Sequence, residues 1–173
     1  MSVKTKAPIE EYLSLPEGHP AELIKGEIVL SPSPSVIHQE IAGKVFWNLK
    51  KVVDELKIGK VFFELDVHFD EENVLRPDII FITKERRSII KENWIEGAPD
   101  IVFEITSPST ISRDAIEKRE IYERFGVKEY WIIDPQAKEV FVLLNKNGKF
   151  GLACKGKKCS SKVIDEFEWG FEE

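Results

Sequence analysis

Two eight-residue segments, Arg76–Thr83 (RPDIIFIT) and Pro99–Thr106 (PDIVFEIT), are almost unbroken apolar runs rich in β-branched and aromatic residues. Runs of this length read as strands buried on both faces, which belong in the middle of a sheet rather than at its edge. Such a sheet needs a covering layer on each side. Apolar residues at helical spacing, Ile41, Val45, Leu49, Val52 and Leu56, predict a first long helix that Pro34 opens at its first turn. Ile111–Phe125 predicts a second helix, stopped by Gly126. Further strands are expected in a hairpin over Ala21–Ser31 turning on Lys25-Gly26, over Lys60–Phe69, over Val127–Asp134 and over Glu139–Leu144. The tail beyond Asn145 is rich in Lys and Gly and shows no clear period. The expected fold class is α/β, a mixed central β-sheet flanked by α-helices, with residues 1–173 forming one domain.

Charge and composition narrow the function. A net charge of -6 opposes a protein that coats nucleic acid by bulk electrostatics, because that mode needs many cationic contacts to phosphate. The local basic stretches, Lys84, Arg86 and Arg87, and Lys155, Lys157, Lys158 and Lys162, read as solvated turns. No apolar run approaches the roughly 20 residues of a membrane span. The N-terminal MSVKTKAPIEEYL lacks the apolar centre of a secretory signal, so a soluble, cytoplasmic protein with no membrane partner is expected. Cys154 and Cys159 have no His partners for zinc and read as solvated loop thiols.

Chemistry is concentrated in the two apolar runs and the helix after them. Asp78 follows Pro77 at the start of an apolar strand, where a carboxylate must be paired, coordinated or at an exposed strand end; a turn aspartate is the bland alternative. Glu104 lies inside IVFEIT, and strand alternation puts it on one face with Asp100, Val102 and Thr106. A glutamate there demands a positive partner. On the second helix the inward stripe reads Ile111, Ala115, Lys118, Tyr122 and Phe125, so Lys118 points inward. Asp114, one turn earlier, either tethers this lysine or is an exposed helix charge. Because only a short loop separates Glu104 from the helix, Asp78, Glu104 and Lys118 can converge. Two carboxylates and a lysine suit Mg²⁺-dependent phosphodiester hydrolysis, in which carboxylates hold the ion and the lysine adds positive charge in the transition state.

The segments RPDIIF, PDIVFEITSPST and ISRDAIEKREIYERFGVKEYWIIDP resemble a large family of bacterial endonucleases in the PD-(D/E)XK superfamily. The resemblance runs from ELIKGEIVLSPSPSVIH to the strand ending IIDP and so covers most of the chain. It implies the restriction-endonuclease-like fold, with Asp78 and Glu104 as metal ligands and the backbone carbonyl of Ile105 as a third contact. It also implies Mg²⁺ as cofactor, with Mn²⁺ able to substitute, and DNA as substrate. Thr106 stands where the superfamily carries its lysine, and the inward Lys118 fits the branches in which that lysine has moved to the following helix.

The family pattern has a histidine at His38, which either borders the site or caps and packs its helix. Glu22 in the hairpin is either an outer carboxylate of the site or a strand-edge surface charge. Tyr122 and Trp131 read as core aromatics. A homodimer is expected because two symmetry-related sites cut both strands most simply. Two other readings stand beside the DNA endonuclease. One is a catalytically silent nucleic-acid or protein interaction module that keeps the fold, favoured by Thr106 and the acidic balance. The other is hydrolysis of RNA or a small nucleotide.

Overall fold

The computed structural model describes residues 8–106 and 113–172, the side chains of residues 113 and 114 excepted. The chain opens with a short helix α1 (Pro8–Leu13), the hairpin β1 (Ala21–Ile24) and β2 (Glu27–Leu30), and the long helix α2 (Val36–Leu56). Four strands follow, β3 (Gly59–Phe63), β4 (Val67–Asp70), β5 (Asn73–Leu75) and β6 (Ile79–Thr83), then a 3₁₀ segment at Lys84–Ile89, β7 (Ile95–Glu96) and β8 (Ile101–Ile105). Helix α3 (Arg113–Arg124) leads to β9 (Glu129–Asp134), β10 (Glu139–Lys146), β11 (Lys149–Gly156), β12 (Lys158–Ser160) and β13 (Glu168–Gly170).

The central sheet has the order β11-β10-β9-β8-β6-β3 and is mixed, since β8 and β9 run parallel while its other neighbours are antiparallel. A parallel pair needs a crossover, which α3 supplies. A second sheet, β2-β1-β5-β4-β7, packs beside it, and β12 pairs with β13. The apolar runs sit at the centre as β6 and β8, and their alternation sorts the core. Ile79, Phe81, Ile101, Phe103 and Ile105 face α2, packing with its buried Ile41, Val45, Leu49 and Val53. Ile80, Ile82 and Val102 face the other way, onto Ile121 and Tyr122 of α3 and onto Ile24, Val67 and Leu75 of the second sheet. Glu104 shares the parity of Val102 and so faces α3 and β1.

Several local expectations are corrected. Lys60–Phe69 is two strands in two sheets, because Glu64 takes a left-handed conformation (φ 47°) and turns the chain out of the central sheet. Pro34 lies outside α2; Ser35 is the N-cap, its hydroxyl accepting from the N–H of His38 at 3.1 Å. The buried stripe of α2 passes through Val53, and Leu56 is exposed. The tail forms β11, β12 and β13, with β11 at the sheet edge and mostly exposed. Cys154 and Cys159 are not solvated thiols: β11 and β12 bring their Cα atoms to 6.0 Å and the two are disulfide-bonded, with Cys159 buried. The Lys25-Gly26 turn is as expected, both residues having positive φ (48° and 80°) as a two-residue hairpin of this hand requires.

Gly59, where α2 passes into β3, lies so close to β6 that an added Cβ would overlap the carbonyl oxygen of Ile82. Gly43 on α2 has open space around it. Gly59→Ala is expected to cost about 1–3 kcal/mol by forcing the strands apart, and Gly43→Ala to add roughly 0.5–1 kcal/mol through helix propensity. Urea midpoints at constant m would show the two shifts in opposite directions.

Candidate active site

The site lies where β6 begins and β8 ends. Ile79 pairs with Phe103, and beyond that pair the carboxylate of Asp78 takes over the ladder's work: its Oδ2 accepts the N–H of Ile105 at 2.7 Å. Its Oδ1 lies 3.1 Å from Nε2 of His38, which the Ser35 cap sets in the first turn of α2. On β8, Glu104 Oε1 accepts the hydroxyl of Tyr122 at 2.6 Å and lies 3.7 Å from Nζ of Lys118. Lys118 is held more closely by Glu22 of β1, 2.8 Å from Oε2 and 3.1 Å from Oε1. The N–H of Arg76 also donates to Glu22 Oε1, at 3.2 Å.

All of these except Tyr122 and the Ile79–Phe103 pair line an open cleft of about 440 Å³, whose wall also includes the run Ser31 to Ser35. A side pocket of about 100 Å³ shares Glu22, Glu104 and Lys118 and reaches Thr106 and Tyr130. Thr106 turns its hydroxyl to the carbonyl of Ile133 at 3.2 Å.

Asp78, Glu104, Lys118, His38 and Glu22 are therefore brought together, and Ile105 sits among them; the side chain of Asp114 lies outside the described residues. Glu22 is buried and paired with the lysine, which excludes the strand-edge surface charge. Tyr122 is a core aromatic, yet its hydroxyl is a direct partner of Glu104, a contact that stripe position alone does not reveal. Trp131 is fully buried and donates to Glu129 at 2.7 Å. The basic stretches are partly consumed by local pairs, Arg86 with Asp100, Lys155 with Glu139 and Lys158 with Glu168. Arg76, in the connection from β5 to β6, also lines the cleft, and nothing in the sequence pattern singles it out.

Burial pushes the Glu104 carboxyl up to about 8, and the negative charges of Asp78 and Glu22 add to the rise while Lys118 and the Tyr122 hydroxyl oppose it. Burial alone would lower the Lys118 ammonium, but Glu104 and Glu22 outweigh it and hold it above the usual lysine range. The hydrogen bond to Asp78 raises His38 against the lowering effect of burial. Burial, followed by the charge of Glu104, raises Tyr122 well above an ordinary phenol, so its hydroxyl stays a donor.

A family model described as "Uma2: Putative restriction endonuclease" matches residues 9–153. A crystal structure described as a putative nuclease belonging to DUF820 from Anabaena variabilis superimposes with a TM-score of 0.77 at 26% identity, over 94% of this chain and 93% of that one. The fold is thereby that of the restriction-endonuclease-like proteins. No curated protein matches the chain.

Because Glu104 is raised from 4.5 to about 8, folding takes up a proton between those values. The stability it contributes is complete below the unfolded value and is lost as pH rises through the folded one. In EDTA the thermal midpoint is expected to fall across this window, by on the order of a few kcal/mol of stability. Glu104→Gln, which cannot ionise, should remove most of the fall and leave the weaker effects of His38, of the same sign, and of His68, which burial lowers and which acts in the opposite sense. An unchanged slope in that variant would assign the loss to other groups.

Proposed function

The chain belongs to the Uma2 family, described as putative restriction endonucleases, and from that premise we propose that it is a Mg²⁺-dependent endonuclease that hydrolyses DNA phosphodiesters as a homodimer. The observation that carries this reading is the meeting of Asp78, Glu104 and Lys118 from two neighbouring strands and a helix in one cleft.

The donor set fits Mg²⁺. That ion takes oxygen ligands, keeps several waters and is commonly held by one or two carboxylates plus substrate phosphate. No cluster of three or more His, Cys, Asp or Glu side chains preset to hold a metal occurs among the described residues. Asp78 Oδ1, Glu104 Oε2 and the carbonyl of Ile105 are the groups that would hold it; among the described residues no hydrogen bond reaches Glu104 Oε2. Mn²⁺ accepts the same oxygen donors. When bound, the ion lowers the pKa of a coordinated water and offsets charge on the scissile phosphate.

The chain's own residues do the rest. Tyr122 fixes the rotamer of Glu104, and His38 and the Ile105 N–H fix both oxygens of Asp78. Lys118, oriented by Glu22, presents a permanent positive charge beside Glu104, where a negative charge develops on the phosphate oxygens. Thr106, occupied with the Ile133 carbonyl, leaves that part to the helix lysine. The raised Glu104 also predicts activity that climbs with pH toward about 8, since only the ionised carboxylate binds a cation well.

Purified wild type is expected to nick supercoiled plasmid with Mg²⁺ or Mn²⁺ and not with EDTA. Asp78→Ala, Glu104→Ala and Lys118→Ala, confirmed folded by circular dichroism, should each lose at least about 10²-fold in rate. An inert wild type that also shows no Mg²⁺ or Mn²⁺ binding by calorimetry would instead assign the fold to an interaction module.

A further inference from the structure

Arg76 stands two residues before Asp78, in the connection from β5 to β6. Pro77 between them is buried, and both Arg76 and Asp78 line the cleft. The guanidinium is held in place from two sides. Its Nε donates to Asp66 Oδ1 at 2.7 Å and its Nη1 to the carbonyl of His19 at 3.0 Å. Asp66 is itself fixed, because its Oδ2 accepts the hydroxyl of the buried Tyr12 at 2.9 Å. Helix α1 therefore anchors the arginine through one carboxylate.

An arginine has five N–H donors in a rigid plane. The Tyr12 hydroxyl also interacts with the guanidinium, whose remaining N–H donors have no further partner among the described residues, and the side chain keeps 26% of its surface exposed. The cleft carries Glu22, Glu64, Asp78 and Glu104 on its walls, while Lys118 is closed in by Glu22 and Glu104 and His38 is held by Asp78. A polyanion entering such a cleft needs a fixed cation that still has donors to give. A pre-oriented guanidinium suits phosphate better than a mobile ammonium, because two N–H groups can meet two oxygens.

Resting on the nuclease reading above, we propose that Arg76 binds a backbone phosphate of the nucleic acid beside the one cleaved at Asp78 and Glu104, with Asp66 and Tyr12 as its positioning residues. The alternative is a purely structural clip between the chain before β6 and the chain before β4, whose loss would register in stability alone.

Nicking kinetics at several salt concentrations, with thermal midpoints measured alongside, separate the two for wild type, Arg76→Gln and Arg76→Lys. Phosphate binding predicts that Arg76→Gln raises KM about tenfold with kcat within about twofold, and lowers the log–log salt slope of kcat/KM by about 1. Arg76→Lys should regain the slope but not the KM, since it restores charge without the fork. A wild-type KM and slope in Arg76→Gln, whatever its midpoint, would overturn the assignment. Should Arg76→Gln fail to fold, a wild-type KM in Arg76→Lys would do the same. A wild type without metal-dependent nicking is a separate outcome, which removes the nuclease reading first and this inference with it.

Discussion

Lys118 carries its ammonium from α3 into the gap between Glu22 on the second sheet and Glu104 on the central one. A charge so placed costs several kcal/mol if it is left unpaired, so the three elements can assemble only in the register that supplies both carboxylates. That register has further consequences. Residue 122 lies one turn beyond residue 118 on the same helix face, so seating the lysine also seats the Tyr122 hydroxyl against Glu104. Glu22 in turn accepts the Arg76 N–H, which ties the chain leading to Asp78 to the same junction. The groups of the cleft are thus mutually positioned by one buried ionic contact between layers that are far apart in sequence.

The cleft opens at that end of the sheet because β6 and β8 stop pairing there. Past Ile79 and Phe103 the partner of the Ile105 N–H is a side chain, the carboxylate of Asp78, and the backbones are free to part. The run Ser31 to Ser35 then forms part of the cleft wall and ends in the cap that delivers His38 to Asp78. Local sequence and global topology act together here: a capping serine decides where α2 begins, and the start of α2 decides which residue meets the carboxylate.

Much of this was legible in the chain, for reasons that differ by element. β6 and β8 were plain because burial on both faces leaves an apolar run, and Lys118 stood out because an inward stripe excludes charge. The break at Glu64 was hidden because alternation continues through it, and a period of two says nothing about which sheet a strand joins. β11 was hidden for the opposite reason: an edge strand with water along much of it has no apolar period to read. The Cys154–Cys159 bond depends on how β12 meets β11, which spacing does not determine. Tyr122 and Trp131 look alike in sequence as core aromatics, and only the fold shows that one of them holds Glu104.

The buried carboxylates look similar in sequence, each beside apolar strand residues, and differ in how fully their oxygens are satisfied. Asp100 accepts from the Thr83 N–H at 2.8 Å and the Lys128 ammonium at 2.8 Å, with Arg86 at 3.5 Å. Glu129 accepts from the Trp131 indole, the Ser161 hydroxyl and the Lys162 N–H, all within 2.7 Å, and so pins the segment after β12 to β9. Both are saturated and act as rivets. Glu104 has one hydroxyl at hydrogen-bond distance and a lysine further off, shared with Glu22. A carboxylate left so incompletely paired at the end of a buried strand is a poor investment in stability, which is why burial drives it toward the protonated form. Its deficit is the property an incoming cation can use, and hydrogen-bond saturation separates Asp100 and Glu129 from Glu104.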